Sequence, residues 1–373
     1  MIYLDHNATG PLDGRVLERM LPFLREQFGN ASSIHALGRT ARDGLEKARA
    51  EVARLCGAQS DEIFFSGSGT EANNLAIFGA AENRTRVVTG PLEHPSAMGP
   101  VRALGLRGVE VHSLQVDSQG RVDLDDFRRA VDRAEILVVA QLANHEIGNV
   151  NPIAEMAAHA RAVGAWFHTD AVQAAGKIPV DVRTLGVDSL SLSAHKLSGP
   201  KGTGALYLRR GHKLTALLQG GHQERGMRAG TENVAGAVGM GAACALAAES
   251  LDARGSRMST MRDRLEAGLV ALGGKVNGNG AARVPNTTNV AWQKIRGELV
   301  VMNLDLMGVA VSTGAACTSG SVEPSPVLLA LGQAADQARC AVRFSVGPET
   351  TEAEIDRVLG LMPEILNRIG RVK

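Results

Sequence analysis

The sequence is short of aromatic rings, net charge and cysteine, and each shortage removes a class of function. Phe, Tyr and Trp make up 3 % of 373 residues, too few for a platform on which single-stranded nucleic acid stacks its bases. Forty basic residues stand against 39 acidic ones, a formal charge of +1, so there is no general footprint for a phosphate backbone and nucleic acid is not expected as a partner. Long apolar runs are missing too. The uncharged stretch 234–248 is shorter than the roughly 20 residues a membrane span needs and is rich in Gly and Ala, which suits a packed core helix. The N-terminal Met-Ile-Tyr-Leu-Asp-His has neither a basic n-region nor an apolar h-region, so no secretory or transit signal is visible and a soluble, cytoplasmic protein is expected.

What is present is small and aliphatic. The hydrophobic fraction is 44 % and there are 43 glycines, so the core must be built from Ala, Val, Leu and Ile. That profile fits an α/β sheet covered by helices and argues against disorder. The length suggests two domains.

The four cysteines, Cys56, Cys244, Cys317 and Cys340, form no CxxC pair and no His-rich spacing, so neither a metal site nor a redox couple is expected. Three sit among apolar or helix-forming neighbours and read as small buried hydrophobes. Cys317 differs. Its surroundings, Ser312-Thr-Gly-Ala-Ala-Cys-Thr-Ser-Gly-Ser-Val-Glu-Pro-Ser-Pro326, hold too much Gly, Ser and Pro for a regular element, which predicts a mobile, exposed loop. An exposed free thiol is a liability unless its reactivity is used.

Between about 60 and 210, short β-branched or apolar runs alternate with helical patterns. Strands are predicted at 62–65, 86–88, 109–113, 136–141, 166–169, 189–193 and 204–208. Several are apolar on both faces, as in a mostly parallel sheet covered on both sides. Helices are predicted at 70–81, 153–163 and 38–55, the last placing Glu46, Lys47, Arg49, Glu51 and Arg54 on a wet face. After an Ala- and Gly-rich helix at 234–249 come a charged helix at 256–272, an extended stretch at 288–292, the Cys317 loop and an amphipathic helix at 352–369. The expected organisation is a large domain, 14–255, and a smaller α+β domain made of 1–13 and 256–373.

In open α/β sheets ligands collect beyond the carboxyl ends of the strands. Four positions there stand out. Ser66-Gly-Ser-Gly-Thr70-Glu71 opens a helix, and its backbone N–H groups with the Thr70 hydroxyl suit one phosphate; it is neither a Walker A loop nor a dinucleotide fingerprint, and an ordinary tight turn is the alternative. Asp170 ends a near-apolar strand, where a carboxylate needs a partner: a cation held in the site, or the N–H groups of a helix it caps. Lys196 follows 189–193, where a desolvated amine is suited to Schiff-base chemistry; a snorkelling surface lysine is the alternative. His94, held extended by the following Pro, suits a ring face or acid–base work, or is an ordinary satisfied polar residue. A phosphate turn, a ring-facing His, a carboxylate and a lysine at the ends of one sheet are together the parts that pyridoxal 5'-phosphate needs.

The sequence resembles the cysteine desulfurases of the NifS/IscS type, within the class V aminotransferase group of fold-type I pyridoxal-phosphate enzymes. The likeness runs from Tyr3-Leu-Asp-His-Asn-Ala-Thr9 through Gly29-Asn-Ala-Ser-Ser-Ile-His35 and Ser68-Gly-Thr-Glu-Ala-Asn-Asn-Leu75 to Arg343-Phe-Ser345. Its most specific pieces are Ser193-Ala-His-Lys-Leu-Ser-Gly-Pro-Lys-Gly202, Gln223-Glu-Arg-Gly-Met-Arg-Ala-Gly-Thr231 and the Cys317 loop. The resemblance implies a large domain with a mostly parallel seven-stranded sheet and a smaller α+β domain. It makes Lys196 the Schiff-base lysine and the proton shuttle at the substrate Cα. Asp170 would pair with the pyridinium, Gln173 would hydrogen-bond the phenolic oxygen and His94 would stack on the ring. Gly69, Thr70, Ser193 and His195 would hold the phosphate, with Thr231 reaching in from the other subunit of a homodimer. Arg343 would bind the carboxylate of L-cysteine by a bidentate fork. Cys317 would take the sulfur as a persulfide, releasing alanine, and carry it to an acceptor such as an iron–sulfur scaffold or a sulfur carrier protein; the long loop is typical of the mobile-loop group.

One departure stands inside the site. The family usually has Asn-Asn-Glu where this chain has Asn144-His145-Glu146. The second Asn contacts the cofactor oxygen and the substrate carboxylate, so the resemblance gives both contacts to His145, which keeps one donor but is bulkier and titratable. No metal is implied. A selenocysteine lyase, or another class V lyase or transaminase on the same scaffold, is the alternative activity.

Overall fold

Apolar runs too short for helices become strands. The computed structural model describes residues 1–314 and 323–371, and Cys317 lies outside the described residues. In chain order the described strands are β1 (Ile2–Tyr3), β2 (Ile63–Ser66), β3 (Arg86–Thr89), β4 (Glu110–Ser113), β5 (Ile136–Gln141), β6 (Trp166–Asp170), β7 (Ser189–Ser193), β8 (Gly204–Leu208), β9 (Lys275–Val276), β10 (Thr287–Ala291), β11 (Val309–Ala310) and β12 (Ala341–Ser345). Each of the seven strands predicted between 60 and 210 is present, with ends moved by one residue at most.

Those seven form one sheet in the order β2-β8-β7-β6-β5-β3-β4. Strands β4, β3, β5, β6 and β7 run parallel, and β8 runs antiparallel to both β7 and β2. The mostly parallel sheet expected from the apolar runs is therefore what forms. Every residue of β5 is buried, and alternate side chains serve different cores. Ile136, Val138 and Ala140 join helices Ala36–Cys56 and Val234–Glu249 on one face. Leu137 and Val139 join Gly69–Ala80 and Pro95–Leu106 on the other. This is the period-2 alternation of a strand covered on both sides.

The Ala- and Gly-rich helix is Val234–Glu249 and is buried along most of its length. A Cβ on Gly241 would lie 2.7 Å from the Ala48 Cα, so small residues let this helix lie close against Ala36–Cys56. Among the described residues no single helix is long and apolar enough to cross a membrane. Val234–Glu249 and Leu251–Ala271 meet the length and composition of a span only together, and they join at a bend of 77°.

One expectation fails on helix Ala36–Cys56. Arg49 is not on a wet face; it is 3 % exposed. Its Nη1 donates to Glu224 Oε2 at 2.7 Å and to the Ile63 carbonyl at 2.8 Å, and Nη2 donates to Glu224 Oε1 at 2.8 Å. The guanidinium also lies 4.9 Å from the centroid of the Phe65 ring. A buried guanidinium is tolerated when it is bidentately paired, as here. The helical pattern shows the flank on which Arg49 lies, but not the carboxylate that arrives 175 positions later.

A separate core gathers Leu4, Met258, Met261, Leu265, Val290, Trp292, Phe344, Ile355 and Met362. It lies under an antiparallel sheet ordered β12-β10-β9 and a parallel pair, β1 with β11. The N-terminal residues join it through Leu4, whose N–H donates to the Ala310 carbonyl at 2.9 Å and whose carbonyl accepts from the Ser345 N–H at 2.8 Å. The charged helix begins at Leu251, five residues before the predicted start. Cys56, Cys244 and Cys340 are buried, as expected, and burial pushes the Cys56 thiol up to about 12.

Candidate active site

Strand register brings the predicted positions to one edge of the sheet. Gln141 pairs across from Asp170, Asp170 from Ser191, Ser193 from Gly204 and Gly204 from Ser66. The carboxyl ends of β2, β5, β6 and β7 therefore open together. Helix Gly69–Ala80 starts there, capped by Ser68, whose Oγ accepts from the Glu71 N–H at 3.1 Å. Gly204 is required at this place because a Cβ would run into the Ser68 carbonyl. The cavity at the edge measures about 240 Å³, and its walls include Gly69, Thr70, His94, His145, Asp170, Gln173, Ser193, His195 and Lys196. Of the residues that the resemblance assigns to cofactor, substrate or catalysis, nine line this cavity, Arg343 and Thr231 do not, and Cys317 lies outside the described residues.

Asp170 is 6 % exposed. Its Oδ1 accepts from the Val172 N–H at 2.9 Å and its Oδ2 from Asn73 Nδ2 at 2.7 Å. No helix starts at this point, where the chain runs instead through turns to residue 177, so the helix-capping alternative is not what forms. Behind Asn73 the polarity is relayed. Asn73 Oδ1 lies 3.0 Å from His168 Nε2, and His168 Nδ1 lies 2.9 Å from Ser189 Oγ. Burial lowers His168 to about 3, so its neutral ring has one N–H to give. With that N–H on Nε2, Asn73 must present its oxygen to His168 and its nitrogen to Asp170.

This relay carries a prediction. In Asp170→Asn one side-chain oxygen becomes an amino group facing a donor, either Asn73 or Val172. If Asp170 pairs with a pyridinium, as the resemblance implies, pyridoxal phosphate retention should fall by about 100- to 1,000-fold, the cost of leaving a buried cation without its counter-charge. Equilibrium dialysis of the purified variant against the cofactor checks it, with a thermal melt as the control for folding.

Lys196 lies in the 3₁₀ turn Ala194–Leu197 that follows β7. Its Nζ donates to the carbonyls of Asn7 at 2.5 Å and Ala8 at 2.6 Å. His195 Nδ1 lies 3.1 Å from Thr9 Oγ1, and burial, assisted by Lys196 and Lys201, lowers its imidazole to about 4. His94 caps helix Pro95–Leu106. Its backbone is extended, as the following Pro requires, and its Nδ1 accepts from the Ser96 N–H at 3.1 Å. Burial also lowers the His94 imidazole.

His145 meets His94 edge to face, with ring centroids 5.0 Å apart at 82°. Burial, then the positive charges of His94, Arg343 and Lys196, push it well below the usual imidazole range. Its Nδ1 is buried with no hydrogen-bond partner among the described residues. Arg343 is 2 % exposed on β12. Its Nη2 holds Asp5 Oδ1 at 2.6 Å and its Nη1 donates to the His145 carbonyl at 2.9 Å, so it reaches the pocket wall through His145. Thr231 lines a neighbouring cavity with Ser66, Gly67, Thr203 and Arg228.

The residues flanking the undescribed stretch lie beside these groups. Ser312 pairs through its backbone with Arg343, and Ser325 Oγ donates to Glu146 Oε2 at 2.6 Å.

The family model for class-V aminotransferases matches residues 2–358. The chain belongs to the class-V aminotransferase family. Within it, a cysteine desulfurase from Gluconacetobacter diazotrophicus is 47 % identical, over 99 % of this chain and 94 % of its own length. Cysteine desulfurase NifS from Azotobacter vinelandii is 44 % identical, over 100 % of this chain and 94 % of its own. A solved NifS-like protein superposes with a TM-score of 0.93 at 36 % identity, covering 98 % of this chain and 99 % of the other. The solved structure of SspA in complex with cysteine gives a TM-score of 0.82 at 30 % identity, covering 94 % of this chain and 100 % of the other.

Pyridoxal 5'-phosphate is the cofactor of this class-V aminotransferase group, and the residues present fit it. The wall of the cavity carries a buried carboxylate, a helix N-terminus and an amine, groups that suit the ring nitrogen, the phosphate and the aldehyde of such a ligand. The motif reading gave no role to Asn73 or Asn7, although both lie inside motifs it quoted. Asn73 was hidden because its partners are 95 and 97 positions away.

Proposed function

We propose that this chain is a cysteine desulfurase, removing sulfur from L-cysteine to give L-alanine with Cys317 as the sulfur acceptor. The observation that carries the reading is that Lys196, Asp170 and the N-terminus of helix Gly69–Ala80 line one cavity. When bound, pyridoxal phosphate supplies an electron sink next to the substrate Cα. The protein does the rest. Gly69, Thr70, Ser193 and His195 would bind the phosphate at the positive end of the helix. Asp170 would hold a proton on the ring nitrogen, Gln173 would bond the phenolic oxygen and His94 would cover the ring. Lys196 takes the proton from the substrate Cα and returns it. Arg343 and His145 bind the substrate carboxylate.

The Cys317 thiolate attacks the substrate sulfur. The S–S bond forms as the C–S bond breaks, the electron pair of the broken bond stays with the substrate carbon, and that carbon takes a proton to become the methyl group of alanine. The persulfide then passes to an acceptor, such as an iron–sulfur scaffold or a sulfur carrier protein, in the cytoplasm. The active form is a homodimer in which Thr231 of one copy completes the phosphate site of the other. Residues 14–255 form the cofactor-binding domain, and 1–13 with 256–373 form the smaller domain that carries the catalytic cysteine.

Mass spectrometry of the holoenzyme after incubation with L-cysteine tests the proposal. The peptide containing Cys317 should gain one sulfur atom. Alanine release with no sulfur added to that peptide would sink it.

A further inference from the structure

The cavity wall includes one side chain whose polarity is imposed from behind. Gln173 lies in the turns after β6, four residues before Lys177, and both are buried. Lys177 Nζ donates to Gln173 Oε1 at 2.7 Å and to Asn7 Oδ1 at 3.0 Å. At the other end of the same amide, Gln173 Nε2 donates to the Asn7 backbone carbonyl at 2.9 Å. The Asn7 carbonyl only accepts, so Nε2 faces it, and the Lys177 amine donates to the Oε1 at the other end; together they hold the Gln173 amide in one orientation.

Asn7 is locked in the same way. Its Oδ1 also accepts from Asn286 Nδ2 at 3.0 Å, while its Nδ2 donates to the His145 carbonyl at 3.1 Å and to Thr287 Oγ1 at 2.8 Å. One N–H of Gln173 Nε2 therefore remains for the cavity that Gln173 lines. A lysine in so buried a place would ordinarily need a counter-ion. The charged neighbours that bear on this one, Lys196 and Arg343, are cations. His6 is also close enough that Lys177 helps lower it to about 4. Surface attraction does not account for this amine, whereas two acceptors matched by two N–H bonds do.

We propose that Lys177 is a positioning residue, fixing the Gln173 amide so that Gln173 can only donate, never accept, toward the phenolic oxygen of pyridoxal phosphate. This rests on the reading that Gln173 contacts that oxygen. A donor there stabilises the oxygen when it carries negative charge, and so lowers the pH at which the bound cofactor loses its proton.

The test is a pH titration of the holoenzyme absorbance band near about 400 nm, in four proteins. Lys177→Met should move the midpoint up by about one pH unit, the scale of one lost charge-assisted hydrogen bond. Gln173→Ala should move it up by at least as much. Adding Lys177→Met to Gln173→Ala should then change almost nothing, because the amide through which Lys177 acts is gone. Lys177→Gln, which keeps two N–H donors without the charge, should stay within about 0.3 of the parent. That variant also decides the matter if Lys177→Met does not fold, since a shift of a full pH unit in it overturns the donor role.

The proposal is likewise overturned if Gln173→Ala shifts the midpoint and Lys177→Met does not, or if the Lys177→Met shift persists in full without Gln173. A Gln173→Ala midpoint equal to the parent's is a different failure. It removes the contact between Gln173 and the cofactor, and the inference falls with it.

Discussion

Replacing Lys196 by alanine should abolish the borohydride-sensitive absorbance near about 400 nm and lower alanine release by at least about 10⁴-fold. The reason is positional. The turn Ala194–Leu197 ends at Ser198 with φ 62°, and the amine stands at two carbonyls of the N-terminal segment. Lys177, the other buried lysine of this region, is engaged with Asn7 and Gln173 and is not among the residues that line the cavity. In the proposed mechanism one substitution removes both the attachment point and the group that moves the Cα proton, so the expected effect exceeds that of a simple acid–base residue. An unchanged spectrum in Lys196→Ala, still lost on borohydride treatment, would place the attachment elsewhere.

Cys317→Ala should lower the release of alanine and sulfide from L-cysteine by about 10²–10³-fold, the range for losing a positioned nucleophile while the rest of the site stays intact. Its cofactor spectrum should be unchanged, because none of the groups assigned to the cofactor is altered. Selenocysteine should still be turned over, since selenide release needs no enzyme persulfide. Parallel assays of the two amino acids read the difference. Release from L-cysteine at the parent rate would show that another group accepts the sulfur, and would favour the lyase alternative.

The parts of the fold that were legible in the sequence are those with local causes. Ile136–Gln141 reads as a strand because six apolar or amphipathic residues, several β-branched, have no helical period. Thr70 and Asp170 were found because ligand groups collect at strand ends, and register does place those ends together. Arg49 failed for the opposite reason. Its helical position suits solvent, and the distant carboxylate of Glu224 offsets much of the cost of burial. His145 was visible as an unusual residue, but its edge-to-face contact with His94 and its unpartnered Nδ1 belong to the folded chain.

The amino-acid sequence determined which chemical groups this protein possesses and, through strand and helix periods, which edge of the sheet presents them. It also singled out Cys317, whose setting in Gly, Ser and Pro is a local signal. The tertiary structure decided the polarity of the site. Asn73 donates to Asp170 from 97 positions away, and Lys177 meets Asn7 across 170. Hydrogen-bond direction depends on which donors and acceptors face one another after folding, and no local periodicity records that.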